Sequence, residues 1–446
     1  MGVATSASEK RYKVLGAFAN AFRTPDLRRK LLFVLLVIAV FRFGSQVPSP
    51  GVHVSNVRSC LSTLEEGGLY GMINLFSGGA LLQLSIFALG IMPYITASII
   101  LQLLVVVIPR LEALKKEGQA GQSKITQYTR YLTLGLALLQ ATGIVALARS
   151  KNLLQGCELD LLHSDGTATF LMIVITMTAG TAVIMWLGEL ITERGVGNGM
   201  SLLIFCQVVA TFPSSLWAVK QSKGGDNWVP FALVILIGLA IMAGVIFIEQ
   251  AQRRIPVQYA RRMVGRKMFG GSSTYIPLKV NQAGIIPVIF ASSLLYLPMM
   301  AVGFSNSNGK VATFVRDNFE SGADPLYMAV FFLLIIFFAY FYVSITFNPE
   351  EVADNMKKYG GFIPGIRAGK PTQDYLSYVL SRITFPGALY LGLISLIPLV
   401  AIAAVGADQN FPFGGTSILI MVGVALDTVK QIESQLQQRN YEGFLS

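Results

Sequence analysis

Few residue types in this chain could carry out covalent or metal-dependent chemistry. The two histidines, His53 and His163, lie in no HExxH or comparable metal-ligand spacing. The three cysteines, Cys60, Cys157 and Cys206, form no metal-binding pattern either. Because a plausible nucleophile, base and metal cluster are all missing from the sequence, we expect no enzyme, no catalytic residue, no metal and no cofactor.

A glycine-rich segment, RGVGNGMS at residues 194–201, is the nearest approach to a phosphate-binding loop. It lacks the lysine and the preceding strand that such a loop requires. We therefore interpret it as a turn that opens the following apolar stretch.

The composition predicts a polytopic membrane protein. Of the 446 residues, 53% are hydrophobic and 13% are charged, whereas soluble proteins have about 25% charged residues. Residues 1–30 are polar and basic, and we expect no cleavable signal peptide. A membrane-spanning helix needs about 20 apolar residues. Ten stretches qualify as candidates: 31–47, 85–107, 127–148, 168–190, 199–213, 229–249, 283–302, 326–347, 384–405 and 415–430.

The basic residues predict the orientation. If the N-terminus is cytoplasmic, only seven of the 35 lysines and arginines lie in outward loops: Arg58, Arg149, Lys151, Lys220, Lys223, Lys310 and Arg316. This asymmetry follows the positive-inside rule and explains the net charge without nucleic acid. We expect a multi-pass protein of the cell membrane with both termini cytoplasmic. Cys60 and Cys157 lie in outward loops and could form a disulfide, but two unpatterned cysteines favour free thiols.

The ten predicted spans divide into two groups of five. The predicted regions are an N-terminal segment (1–30), a first half (31–213), a second half (214–433) and a C-terminal tail (434–446). Since five is odd, the second half enters the membrane inverted relative to the first. Inverted halves are common in membrane proteins that pass a substrate along their interface.

Residues 72–104, MINLFSGGALLQLSIFALGIMPYITASIILQLL, indicate such a pathway. A glycine-broken piece leads into an apolar span that carries Gly90 and Pro93. Irregular backbone at membrane depth persists only where it is buried in protein or lines a cavity. A re-entrant loop or a kinked helix would give the same spacing.

Two long loops, 249–279 and 348–382, are predicted to face the cytoplasm. The first is basic, and its charge count alone is typical of cytoplasmic loops. In the second, Pro364, Gly365 and Gly369 predict a tight turn that presents Arg367. Long loops with their own turn chemistry are often functional, so we expect a docking site for a bulky cytosolic partner.

Charged residues inside the predicted spans are few. Arg42, Glu189 and Glu249 lie near the ends of spans, and Asp427 is close to the boundary with Lys430 nearby. An ion-coupled secondary transporter usually carries ionisable groups near mid-membrane. That alternative is therefore disfavoured.

Six long motifs resemble the SecY family, the large subunits of the bacterial protein-conducting channel. They are FSGGALLQLSIFALGIMPYITASIILQLL, KKEGQAGQSKITQYTRY, GELITERGVGNGMSLLIF, PLKVNQAGIIPVIFASS, FNPEEVADNMKKYGGFIPGIRAGKPT and FGGTSILIMVGVALD. The resemblance implies an all-α fold of ten transmembrane helices, in two inverted five-helix halves around a central pore that opens sideways to lipid. It implies passage of unfolded preproteins, release of signal anchors or transmembrane segments into lipid, and no sequence-specific nucleic acid binding. Implied partners are SecE, SecG, the SecA ATPase, translating ribosomes, signal peptides and preproteins.

The resemblance also assigns site residues. A pore ring falls on Ile91, Ile95, Met200, Ile204, Ile289 and Ile420, where Met200 departs from the usual isoleucine. A plug falls on residues 69–82, with Phe76, Ser77, Gly78 and Gly79 at its turn. The polar cluster of a lateral gate falls on Thr96, Gln140 and Asn281. The residues that the resemblance assigns to docking of cytoplasmic partners are Arg253, Arg254 and Arg367.

Overall fold

The computed structural model describes most of the chain as helix. It covers residues 24–63, 79–81, 83–149, 159–163, 166–221, 228–259, 262–264, 267–269, 273–304, 309–319, 324–405 and 415–442. The helices are α1 (Pro25–Gln46), α2 (Val54–Thr63), α3 (Met92–Val107), α4 (Pro109–Lys116), α5 (Gln119–Arg149), α6 (Thr167–Arg194), α7 (Gly199–Gln221), α8 (Trp228–Gln250), α9 (Ile286–Phe304), α10 (Lys310–Phe319), α11 (Pro325–Thr346), α12 (Pro349–Lys358), α13 (Lys370–Val405) and α14 (Gly415–Glu442).

Each of the ten predicted stretches overlaps a helix. Within the described residues, four helical segments could each cross a membrane by length and composition: Gln119–Arg149, Thr167–Arg194, Pro325–Lys358 and Lys370–Ile397. The pair α3 and α4, bent by 99°, makes a fifth if it is counted as one span. Shorter apolar helices occur at Gly199–Pro213, Ile235–Gln250 and Ile286–Leu295. A multi-pass helical protein is thus supported, whereas the count of ten remains a prediction.

Short strands interrupt the helices after α8. They are β1 (Gln252–Tyr259), β2 (Arg262–Val264), β3 (Lys267–Phe269), β4 (Ser273–Lys279) and β5 (Gly361–Phe362). One antiparallel sheet has the order β4-β1-β5, and β2 pairs with β3 in a second, two-stranded sheet. The chain is mainly helical, as predicted, and its two long loops add these short strands.

The chain forms two compact units. Unit 1 consists of Met1–Ala218, Met300–Ser307 and Ile420–Ser446, and unit 2 consists of Val219–Met299 and Asn308–Leu419. Unit 1 has an apolar core in which α5 and α6 pack on the segment before α3. The predicted boundaries of the two halves remain predictions.

The start of α3 differs from the sequence prediction. The predicted span began at residue 85, but the helix begins at Met92, with Pro93 in its first turn. Proline is favoured there because its missing N–H would be unpaired in any case. Apolarity alone does not distinguish buried turns from helix, which explains the error.

The outward cysteines also require a correction. Cys60 is buried and disulfide-bonded, so the expectation of a free thiol is wrong for this residue. Cys206 is free, and Cys157 lies outside the described residues. Nearby, the imidazole rings of His53 and His163 stack with their centroids 3.7 Å apart.

Candidate functional site

The irregular backbone before α3 is buried and hydrogen-bonded. Ser49 N–H donates to the Leu84 carbonyl oxygen at 3.0 Å, and Ile86 N–H donates to the Val47 carbonyl oxygen at 2.9 Å. Within the segment, Gly90 N–H donates to the Phe87 carbonyl oxygen at 2.9 Å. These bonds satisfy backbone groups that would otherwise be costly to remove from water. The segment thus meets the condition for non-helical backbone in a membrane protein.

Two glycines let neighbouring helices approach this segment closely. A Cβ atom on Gly180 of α6 would lie 2.1 Å from the Ile86 carbonyl oxygen. A Cβ on Gly44 of α1 would lie 2.2 Å from the Phe87 ring, which also stacks on Phe41. A side chain at position 180 would meet backbone, and one at position 44 would displace the Phe87 ring, so the segment is held closely between α1 and α6.

This segment leads into the start of α3, where two predicted ring residues lie. Ile91 is the N-cap residue and is buried, and Ile95 is half-buried. Ile95 N–H donates to the Ile91 carbonyl oxygen at 3.2 Å. The two residues therefore lie one helical turn apart on the same face.

The junction of α6 and α7 positions the next two ring residues. Asn198 caps α7, because its Oδ1 accepts from Met200 N–H at 3.1 Å. A Cβ on Gly199 would lie 1.9 Å from the Gly188 carbonyl oxygen, so the two backbones are in contact. The interpretation of residues 194–201 as a turn opening a helix is confirmed.

Met200 packs against α6. A Cβ atom on Gly188 would lie 2.4 Å from the Met200 Sδ. The Met200 side chain is half-buried. Ile204, one turn later, is buried. A thioether is more adaptable than a branched isoleucine side chain, which suits this narrow space.

The remaining ring positions lie on other helices. Ile289 on α9 and Ile420 on α14 are both buried. The convergence of the six side chains on one ring remains a prediction. The plug also remains a prediction, since Phe76, Ser77 and Gly78 lie outside the described residues. Gly79 has a positive φ of 87°, as expected for a glycine turn.

The three proposed gate residues are all buried. The Thr96 hydroxyl donates to the Met92 carbonyl oxygen at 3.0 Å, within its own helix. Gln140 lies on α5. Asn281 Nδ2 donates to Glu249 Oε2 at 3.0 Å and to the Gly284 carbonyl oxygen at 3.2 Å. Their meeting in one cluster stays a prediction.

The two long loops form one packed region, which we call the loop subdomain: β1, β4, β5, α12 and the start of α13. β5, from the second loop, pairs with β1, from the first, through Gln258 with Phe362 and Tyr259 with Gly361. Apolar residues from both loops share a core: Ile255, Val257, Leu278, Met356, Ile363, Leu376 and Val379. The sequence analysis treated these loops separately and missed this pairing.

Arg367 is exposed after a defined turn. Ile366 N–H donates to the Ile363 carbonyl oxygen at 3.0 Å across Pro364 and Gly365. Gly365 has φ 85°, which makes this a type II turn. The Arg367 carbonyl oxygen accepts from the Thr372 hydroxyl at 2.8 Å, which ties the loop to α13. The predicted turn is confirmed, whereas docking at Arg367 is not tested.

The arginines of β1 are exposed on the same subdomain. Arg253 and Arg254 precede the alternating residues that reach the core. The Arg254 guanidinium lies over the Tyr275 ring, 4.9 Å from its centroid. This cation–π contact orients the exposed Arg254 side chain.

An ion pair that the sequence analysis missed joins α5 and α6. Arg130 Nε and Nη2 each donate to a Glu189 carboxylate oxygen at 2.8 Å. The bidentate geometry is the strong form of this interaction. The signal was present, because both residues lie near the same predicted end of neighbouring antiparallel spans. The Arg130 guanidinium compensates the charge of the Glu189 carboxylate. Glu189 is therefore a poor candidate for a residue of an ion path.

Apolar helices of membrane-spanning length, closely packed through glycines, place the chain in the class of helical multi-pass membrane proteins. The SecY family model matches residues 85–429. The chain is 66% identical to the protein translocase subunit SecY of Streptomyces griseus over 96% of this chain and 99% of that protein. It is 59% identical to the same subunit of Mycobacterium bovis over 97% and 100%, respectively. The chain therefore belongs to the SecY family.

Solved structures with a similar fold have low sequence identity. One, described as the structure of a protein conducting channel, has a TM-score of 0.61 and 18% identity and covers 91% of each chain. Another, Sec61 in the canine ribosome-channel complex from the endoplasmic reticulum, has a TM-score of 0.57 and 16% identity, with the same coverage. At this identity the structures support the fold.

Proposed function

We propose that this chain is the channel-forming subunit of a protein translocase of the cell membrane, with both termini in the cytoplasm. Unfolded preproteins cross through it, and signal anchors or transmembrane segments leave it sideways into lipid. The observation that carries the proposal is the 66% identity to a translocase subunit over 96% of the chain. The chain forms the path for the preprotein, and ATP hydrolysis belongs to the SecA partner.

An apolar ring suits the closed state of such a channel. Ile91, Ile204, Ile289 and Ile420 are buried, and Ile95 and Met200 are half-buried. A constriction lined by apolar side chains excludes ions by dewetting. The same lining offers a translocating chain no polar group to which it could bind. Residues 69–82 act as the plug that supports this seal.

A weak polar latch suits the lateral gate. Thr96, Gln140 and Asn281 are the proposed latch, and interhelical hydrogen bonds in membranes average only about 0.6 kcal/mol. A signal sequence therefore needs little binding energy to open the gate.

The loop subdomain is the proposed docking surface for the SecA ATPase and the translating ribosome. It carries Arg253, Arg254 and Arg367 at its surface. Guanidinium groups pair well with carboxylates and with the phosphates of a ribosome, without reading base sequence. One structural relative is Sec61 in a ribosome–channel complex. SecE and SecG are the proposed membrane partners.

The alternative, an ion-coupled secondary transporter, receives no support from the family. The discriminating experiment uses the chain with SecE and SecG in proteoliposomes. With SecA and ATP, we expect an added preprotein to become protected from external protease. A preparation that protects no preprotein, yet accumulates a small solute when an ion gradient is imposed, would favour the transporter.

A further inference from the structure

Glu249, at the end of α8, is bonded to a proposed gate residue. Asn281 Nδ2 donates to Glu249 Oε2 at 3.0 Å and to the Gly284 carbonyl oxygen at 3.2 Å. A side-chain amide nitrogen has two N–H donors. Both donors of Asn281 are therefore engaged inside unit 2, and neither bond uses its Oδ1.

The backbone of Asn281 is fixed independently of Glu249. Gln252 pairs with Lys279 at the end of the β1–β4 ladder, and Val280 N–H extends it by donating to the Ala251 carbonyl oxygen at 3.0 Å. From the other side, a Cβ on Gly387 of α13 would lie 2.4 Å from the Val280 carbonyl oxygen. The sheet and α13 thus hold the chain at residues 280–281, and the end of α8 lies beside them.

The orientation of the Asn281 side chain depends on its two acceptors. The side chain is buried, with 3% of its surface exposed, so water cannot readily replace a lost partner. A carboxylate acceptor forms a charge-assisted hydrogen bond that is stronger than a neutral one. The hydrogen bond to Glu249 is accordingly the stronger of the two that fix the plane of the Asn281 amide.

We propose that Glu249 is a positioning residue of the lateral gate. By accepting from Asn281, it holds the amide so that Oδ1 is presented in a single orientation. A preorganised acceptor contributes more to a latch than one that rotates freely, because less conformational entropy is lost. Glu249 thereby raises the threshold that a signal sequence must overcome. This inference rests on the proposed function and deepens its gate.

The test compares Glu249→Leu, which removes the acceptor, with Glu249→Gln, which keeps an acceptor oxygen at the same length. Each variant is reconstituted with SecE, SecG and SecA, and transport is measured for one preprotein with an intact signal sequence and with a defective one. The ratio of the two rates is the readout. A folding defect lowers both rates together and leaves the ratio unchanged.

We expect Glu249→Leu to raise the ratio of defective to intact transport about fivefold, the equilibrium factor of one net hydrogen bond. Glu249→Gln keeps a neutral acceptor and should give a ratio between those of the parent and Glu249→Leu. In an Asn281→Leu background, Glu249→Leu should add nothing further, because coupled residues are non-additive. If Glu249→Leu fails to assemble, Glu249→Ala serves instead, since it also removes the acceptor and leaves Asn281 unchanged, and it should raise the ratio similarly.

An unchanged ratio in Glu249→Leu, with an active parent, would overturn the inference. A lowered ratio would overturn it too, because it would mean that Glu249 competes with the latch. If the parent itself transports no preprotein, the proposed function fails and the inference fails with it. The two failures are therefore distinguished by the parent alone.

Discussion

The irregular segment before α3 and the loop subdomain are both non-helical, yet they satisfy their backbone groups differently. The segment at residues 83–91 is largely buried; Ile86 N–H donates to the Val47 carbonyl oxygen, the Leu84 carbonyl oxygen accepts from Ser49 N–H, and other amides bond within its own turns. The loop subdomain uses an antiparallel sheet, with arginines exposed at its surface. Close backbone packing limits the substitutions that the first region tolerates, whereas the second exposes Arg253, Arg254 and Arg367 at its surface. Substitutions should therefore affect stability in the first and partner binding in the second.

Gly180→Ala should have the largest effect on stability. Its Cβ would lie 2.1 Å from the Ile86 carbonyl oxygen, so backbone must shift. Overpacking of this kind costs about 2 to 3 kcal/mol. The melting temperature of the purified protein should fall clearly. Gly135→Ala is the matched control on α5, because a Cβ there meets nothing within 4 Å. Equal melting temperatures for both variants would contradict the close packing of this segment.

Gly365→Ala should have an intermediate effect on stability. The residue has φ 85°, a region that costs an L-amino acid about 1 to 2 kcal/mol. The turn should distort locally, and SecA-driven transport should fall clearly. The melting temperature should fall less than it does in Gly180→Ala. Undiminished transport would show that the shape of this turn is unimportant for docking.

Arg367→Glu should have the smallest effect on stability. The side chain is exposed and its backbone carbonyl forms the bond to Thr372. Reversing its charge should abolish most SecA-driven transport, because an electrostatic docking contact becomes repulsive. Arg367→Lys controls for the loss of shape. Transport at the parent rate by the charge-reversed variant, with normal stability, would leave Arg367 a topology-setting charge only.

Local patterns predicted some of these features well. The apolar stretches gave the helices, and the turns at residues 194–201 and 364–365 followed from glycine, proline and asparagine chemistry. Features that depend on distant residues were missed. β5 has only two residues and pairs with a strand about a hundred positions earlier. The Arg130–Glu189 pair likewise required knowledge of which spans are neighbours.

Burial explains the other misses. Residues 85–91 are as apolar as helix, so hydropathy could not place the start of α3 at Met92. The disulfide at Cys60 needed a spatial partner that spacing does not reveal. For the ring residues, four are buried and two are half-buried, and their role is a prediction from the family resemblance and not from periodicity.

The conductance of a ring variant tests the proposed channel most directly. Ile91→Ser combined with Ile289→Ser replaces two of the proposed ring side chains, and residues 69–82 are deleted so that the proposed plug cannot mask the effect. Single-channel recording in planar bilayers should then show a steady ion conductance, because a polar constriction wets. Deletion of residues 69–82 alone is the control and should conduct less. A double variant without the plug that stays as electrically silent as the parent would contradict the ring and, with it, the proposed path through the protein.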